Sequence, residues 1–254
     1  MYNISMNRED IKNTPMEAFN KAGEKVESEN RNGFYDAIIL ERPELEGKPA
    51  YFPEQGYCAY TIIIGDEVFK APKKIISERN HEDEILREVE VLKGLEGSGL
   101  PVPKLTHVGK NACFFGMERM KGVKIPEDFI ETFTKEQLIS LAKDISSFTL
   151  DMILAFSDKE KFTPHDKVMV HFDLNLGNLL IDPDTNRLCG ILDFGSSREV
   201  SFVHSCPSVS CVESNLSYKA FNNLLKLWYE KGKSKIRTFE ASKATSGLKV
   251  MSHI

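Results

Sequence analysis

Apolar residues at Ile85, Leu86, Val89, Leu92 and Leu95 recur at helical spacing, and Gly94 and Gly97 supply a stop, which predicts a helix over 82–95. The segments around it follow a different rhythm. Residues 57–64 are rich in β-branched and aromatic side chains, Gly65-Asp66 is a turn signal, and 67–70 resumes the pattern until Pro72, so a β-hairpin is predicted. Residues 105–108 and 113–117 read as two further strands joined by a turn at 109–111. The apolar run 36–40 predicts a short buried strand, and 42–56, with three prolines and two glycines, predicts a loop. The first part of the chain is therefore mostly β with one main helix.

Beyond residue 118 the pattern changes. A long amphipathic helix is predicted over 134–156, opened by a Thr134/Gln137 capping box. Residues 167–171 form a short strand, and 179–181 and 189–192 pair as a hairpin around the turn 182–187. Residues 218–230 read as a helix with its aromatic residues on a buried face, and Phe114, Phe115, Phe148, Phe156, Trp228 and Tyr229 are assigned to the core. The division that follows is an N-terminal extension over 1–33, a first lobe over 34–118 and a second lobe over 119–254. Its Lys- and Ser-rich end, 231–254, is read as a flexible tail.

Composition narrows the function classes. The formal net charge of -5 argues against nucleic acid as a partner. The basic cluster Lys231, Lys233, Lys235 and Arg237 is read as part of the solvated tail. Five cysteines at irregular spacing, with no C-x-x-C pair, point to free thiols rather than a zinc site or a disulfide framework. His81, His107 and His165 lack metal-ligand spacing, and Asp182 and Asp184 beside Pro183 are turn residues. The polar N-terminus has no signal-peptide pattern and no run is long enough to span a membrane, so a soluble, cytoplasmic protein without a membrane partner is expected.

The candidate chemistry is concentrated in His171-Phe172-Asp173-Leu174-Asn175-Leu176-Gly177-Asn178, followed on an apolar strand by Asp193-Phe194-Gly195. Phosphoryl transfer calls for a carboxylate at the attacking hydroxyl, with an amide and a second carboxylate at the metal, in this order. The text from 168 to 197 resembles the aminoglycoside phosphotransferase and choline kinase family, and the weaker resemblance extends over about 57–230.

That resemblance implies an α+β, protein-kinase-like fold of two lobes: a small β-rich N-lobe with one main helix, and a mostly helical C-lobe. It implies a Mg²⁺-dependent enzyme that moves the γ-phosphate of ATP or GTP to a hydroxyl of a small molecule. Asp173 becomes the catalytic base, Asn178 and Asp193 the Mg²⁺ ligands, and His171 a support of the loop. Lys70 becomes the ligand of the α- and β-phosphates, with Glu88 as its partner and Glu84, one turn earlier, as the alternative. The backbone from Met117 to Met120 becomes the purine-binding hinge, and residues 52–57 the phosphate-covering loop.

The chain departs from the family at 205–210. A Gly-Asp-Pro-x-x-Asp-like stretch is replaced by Ser-Cys-Pro-Ser-Val-Ser, which keeps the proline and exchanges both acids for Cys206 and Ser210. Those acids brace the catalytic loop, so a catalytically weak or inactive binding module stands as an alternative. A protein kinase of the same fold is another, though no Ala-Pro-Glu motif is present. Acids after Asp193 are sparse, which argues against a polycationic acceptor. Oligomeric state is left open.

Overall fold

The computed structural model describes residues 31–53, 59–73, 81–110, 114–157, 166–209 and 218–234. Two lobes are present: a β-rich first lobe and a mostly helical second one.

The first lobe opens with a helix, α1, over residues 31–41. The sequence predicts a strand over part of this segment. The helix prevails because Phe34 and Ile38, four residues apart, fall on one face. That face is buried against Ile62, Ile64, Phe69 and Phe114, while Leu40 points away and is 85% exposed. A stretch of four apolar residues cannot reveal that period by itself. The helix end is tied to the sheet by polar contacts. Glu41 meets His107 at 3.0 Å, and Arg42 makes a two-pronged pair with Glu67 at 3.0 and 3.1 Å.

The sheet has five strands in the order β1-β2-β3-β5-β4: β1 Ala50–Tyr51, β2 Ala59–Ile64, β3 Glu67–Pro72, β4 Leu105–Val108 and β5 Phe115–Glu118. β1 is a short edge strand within the predicted loop. β2 and β3 form the expected hairpin, whose turn uses Gly65 at φ 59°, where a side chain would be strained. β3 is central, with Lys70 opposite Thr61 on one side and Phe115 on the other. The helix α2, His81–Leu95, buries Ile85, Val89, Leu92 and Leu95 of the predicted pattern, while Leu86 is exposed.

The second lobe contains β6 Val123–Lys124, the short helix α3 Phe129–Thr132, and α4 Lys135–Phe156. The capping box of α4 is formed in full, since Thr134 Oγ1 accepts from the Gln137 N–H at 3.2 Å and Gln137 Oε1 accepts from the Thr134 N–H at 2.7 Å. β8 Leu179–Ile181 and β9 Leu188–Ile191 make the predicted hairpin beside β6. β7 Lys167–Val170 pairs with β10 Arg198–Ser201. The last described helix, α5, covers 218–234 and buries Tyr218, Phe221, Leu225 and Tyr229.

Two further expectations require correction. Lys233 is not in a solvated tail: it lies on the buried face one turn after Tyr229 and is 1% exposed. Its Nζ donates to the Phe202 carbonyl at 2.6 Å and lies 4.3 Å from the Phe202 ring centroid, which replaces much of its hydration. Phe156 and Trp228 are not fully in the core either. Phe156 is exposed on α4, and Trp228 is half-buried with Lys143 and Lys231 at 4.3 and 4.6 Å from its ring. Among the described residues, no helix is long and apolar enough to cross a membrane.

The capping box makes a direct test of how α4 is anchored. Thr134→Ala leaves one orphan N–H at the helix start and should cost about 1 kcal/mol. The urea midpoint should fall with an unchanged slope; an unchanged midpoint would show that the cap contributes nothing.

Candidate active site

β3 and α2 bring the first two groups together. Lys70 Nζ lies 2.6 Å from Glu88 Oε2 and 3.0 Å from Asp193 Oδ1. Of the two acids considered on α2, Glu88 is the one that meets Lys70. It is 1% exposed, and its other oxygen accepts the Phe194 N–H at 3.3 Å. One carboxylate therefore fixes the strand, the helix and the turn after Asp193. Glu84 packs its backbone against that turn instead: a Cβ at Gly195 would come within 3.1 Å of the Glu84 carbonyl oxygen. Gly195 thus permits a close approach that larger residues would disturb.

Burial opposes the charge on Lys70, but the carboxylates of Glu88 and Asp193 outweigh it and hold the ammonium above its ordinary range. Burial pushes the Glu88 carboxyl up, against the pull of Lys70. Lys70, ahead of the opposing effect of burial, holds Asp193 below the ordinary carboxylate range.

The loop from 171 to 178 is organised around His171. Burial lowers its pKa, so the ring is neutral. Nε2–H then donates to the Leu192 carbonyl at 2.9 Å, and Nδ1 accepts the Asp173 N–H at 3.3 Å. The Leu192 N–H donates to the Asn178 carbonyl at 2.8 Å. These bonds set Asp173, Asn178 and Asp193 relative to one another through main chain and one imidazole. Phe172 and Asp193 both have φ 65°, a left-handed conformation that a bulky residue such as Phe172 seldom adopts and that Asp tolerates better.

The Asp173 carboxylate receives two side-chain amides. Asn175 Nδ2 donates to Oδ1 at 3.2 Å and Asn178 Nδ2 to Oδ2 at 3.3 Å, while Asn178 Nδ2 also donates to the Asp173 carbonyl at 3.0 Å. Asn175 is a functional candidate that sequence reasoning missed; its signal is an amide two residues after the acid in a loop that must turn back. With its nitrogen committed to Asp173, Asn178 has its carboxamide oxygen left for a cation. That oxygen and the half-exposed carboxylate of Asp193, 51% exposed, are hard donors that fit Mg²⁺. Among the described residues, no group of three or more His, Cys, Asp or Glu side chains could hold a metal ion, so such a cation depends on this mixed pair.

At the lobe junction, Met117 is buried in β5. The Glu118 N–H donates to the Lys104 carbonyl at 2.8 Å and the Arg119 N–H to Asp66 at 2.9 Å, while the Lys121 carbonyl accepts from Cys189 Sγ at 3.3 Å. Met120 lies between these committed groups and is half-buried. Of the predicted phosphate-covering loop, residues 54–57 lie outside the described residues, as does Ser210. Cys206 is half-buried, and burial raises its thiol pKa.

The Phosphotransferase enzyme family matches residues 149–198, the segment that holds the end of α4, the loop and the Asp193 turn. The gentamicin complex of APH(2")-IIa is similar with a TM-score of 0.59 at 17% identity, over 76% of this chain and 80% of that one. The GDP complex of wild-type aminoglycoside 2'-phosphotransferase-IIIa gives 0.59 at 17% identity, over 79% and 83%. ADP-bound APH(2'')-Ib gives 0.58 at 17% identity, over 82% and 86%. Comparison with curated proteins finds no match. The chain thus matches the Phosphotransferase enzyme family over 149–198 and shares the fold of these aminoglycoside phosphotransferase structures.

The Lys70–Asp193 contact has a pH signature. An acid with a depressed folded pKa contributes stability that is complete above its unfolded value, about 3.9, and is lost as pH falls through its folded value. Wild type should therefore exceed Asp193→Asn in urea midpoint at pH 6, and the gap should close below about pH 4. Glu88, displaced upward, works in the opposite sense but is present in both proteins. A gap that stays constant down to about pH 2.5 would remove the assigned coupling.

Proposed function

We propose that the protein is a kinase that transfers the γ-phosphate of ATP or GTP to a hydroxyl of a small molecule. The observation that carries this reading is the convergence of Lys70, Glu88 and Asp193 beside a loop in which Asp173 is held by two amides. The family match over that loop supports it.

In this reading, Lys70 binds the α- and β-phosphates of the nucleotide. Glu88 keeps the ammonium charged and aimed while the phosphates arrive. The purine edge meets the backbone at Met120, since the neighbouring N–H groups of Glu118 and Arg119 are already used, and Met117 supports the hinge from the buried side. Mg²⁺, held by Asn178 and Asp193, would neutralise phosphate charge. Asp173 orients the acceptor hydroxyl in line with the γ-phosphorus and takes its proton as the new O–P bond forms and the bond to the β-phosphate oxygen breaks. The nucleoside diphosphate leaves directly, without a phosphoenzyme. The amides of Asn175 and Asn178 keep the carboxylate in one orientation, so that the loss of entropy is met on folding rather than in the reaction.

The relatives above include complexes with gentamicin, and the GDP and kanamycin complex of APH(2")-IIia is another. The sparse acids after Asp193 favour a neutral or zwitterionic acceptor for this chain over a polycation. A second reading, a nucleotide-binding module with little turnover, is favoured by Cys206 in the position of a loop-bracing acid.

Thermal denaturation with Mg²⁺ and either nucleotide tests the site before any acceptor is known. Nucleotide at 100 times its Kd should add about 2.7 kcal/mol. The gain should require Mg²⁺, disappear in Asp193→Ala, and persist in Asp173→Ala, which then lacks turnover in an acceptor screen. Absence of any gain with both nucleotides would refute the reading. A gain without turnover in wild type, across sugars, nucleosides and amino alcohols, would favour the binding module.

A further inference from the structure

The back of the loop that carries Asp173 faces a cavity of about 180 Å³. His171, Phe172 and Leu174 line it, whereas Asp173 does not. The Asp173 carboxylate is held by Asn175 and Asn178, so the cavity is separate from the acid's working side.

The inner part of the wall is mainly apolar. Phe148, Met152, Val170 and Leu174 supply aromatic, thioether and aliphatic surface. Three of the polar groups that line it, Thr149, His171 and Ser205, are already committed, while His204 and Ser208 stand exposed at its rim. Thr149 Oγ1 donates to the Ile145 carbonyl at 2.9 Å, and Ser205 Oγ donates to Phe202 at 2.6 Å. Both His171 nitrogens are used, by Leu192 and by Asp173. The inner wall has no carboxylate and no ammonium, and the His204 imidazole and the Arg198 guanidinium lie at the entrance, so a charged guest seated inside would lose hydration without gaining a partner there. Cys206 completes the wall as a small side chain.

The cavity also has an entrance. Its lining includes the exposed residues His204 and Ser208, and Phe172, which is 54% exposed and carries the Arg198 guanidinium over its ring. A dry cavity of roughly 150 Å³ lined by Leu, Ile and Phe is large enough to take benzene. The space here is slightly larger, and Met152 can adapt to a flat guest.

We propose that this cavity binds a small uncharged aromatic molecule, and that its occupancy fixes the loop that carries Asp173. The guest lies against His171 and Phe172. His171 holds the Asp173 N–H, and Phe172 precedes Asp173 in a left-handed conformation. Packing from behind restricts both. The site does not rest on the kinase reading, and its test needs no turnover.

The test uses the full chain, with methionine methyls labelled with carbon-13 and indole as the probe. Indole should give a nuclear Overhauser contact to the Met152 methyl, assigned by Met152→Leu. It should also slow hydrogen exchange in a peptide spanning 171–175 by several-fold. Cys206→Phe and Val200→Phe each fill the space and should abolish both effects, while Cys206→Ser should keep them. Benzylamine and benzoate should bind at least about tenfold more weakly than indole. Absence of the Met152 contact at millimolar indole in wild type overturns the proposal, whatever the variants do. Undiminished contact in a cooperatively melting Cys206→Phe or Val200→Phe also overturns it. Equal binding of a charged probe overturns the assigned chemistry.

Discussion

The ammonium of Lys70 is the point on which the rest of this structure turns. It sits between a carboxylate of the first-lobe helix and one at the end of a second-lobe strand, at 2.6 and 3.0 Å. An almost fully buried carboxylate such as Glu88 is costly unless it is paired, and losing one partner of a buried pair typically costs about 3–5 kcal/mol. The pair therefore contributes less to net stability than to uniqueness. Only one register of β3 and one rotation of α2 satisfy Lys70 and Glu88 together. The second Glu88 oxygen extends the same constraint to Phe194, whose ring packs in the core that joins the lobes.

Main-chain bonds then carry position from Asp193 to the loop. Leu192 gives its carbonyl to His171 and its N–H to Asn178, so the residue before the acid is bonded on both sides. His171 can serve in this way because burial keeps it neutral, with one nitrogen donating and the other accepting. Strain at Phe172 and Asp193 is consistent with this arrangement. A left-handed bulky residue persists when surrounding contacts over-determine it, and here the contacts lie on either side of each strained position.

Legibility in the sequence followed the range of the interactions. The helix over 82–95, the capped helix from 134 and the hairpin at 182–187 are governed by local period, caps and turns, and all three were read from the chain. The loop from His171 to Asn178 was legible because its chemistry is written within eight residues. The choice of Glu88 over Glu84 was narrowed by the sequence, but the contact itself depends on how α2 packs. The helix over 31–41 was misread because its buried face, Phe34 and Ile38, becomes visible only beside a sheet that forms later in the chain. Lys233 was misread for a similar reason. A lysine in a Lys- and Ser-rich stretch looks solvated until Phe202 offers a carbonyl and a ring. Asn175 escaped notice because its role exists only once the loop has folded back on Asp173.

The two sides of the loop that carries Asp173 are held by different physics. In front, Asp173 is fixed by directional bonds from Asn175, Asn178 and His171, each of which tolerates little displacement. Behind, where an acid in the position of Cys206 would offer another directional bond, the chain has a small thiol, satisfied hydroxyls and open space. Dispersion falls steeply across even a narrow gap, so the cavity side restrains the loop less than close packing would. The front thus defines the geometry of Asp173, and the packing behind governs how firmly that geometry is kept. With a thiol rather than a carboxylate at Cys206, control of the loop from behind lies in shape more than in electrostatics, and a surface governed by shape responds to a neutral molecule that fits it.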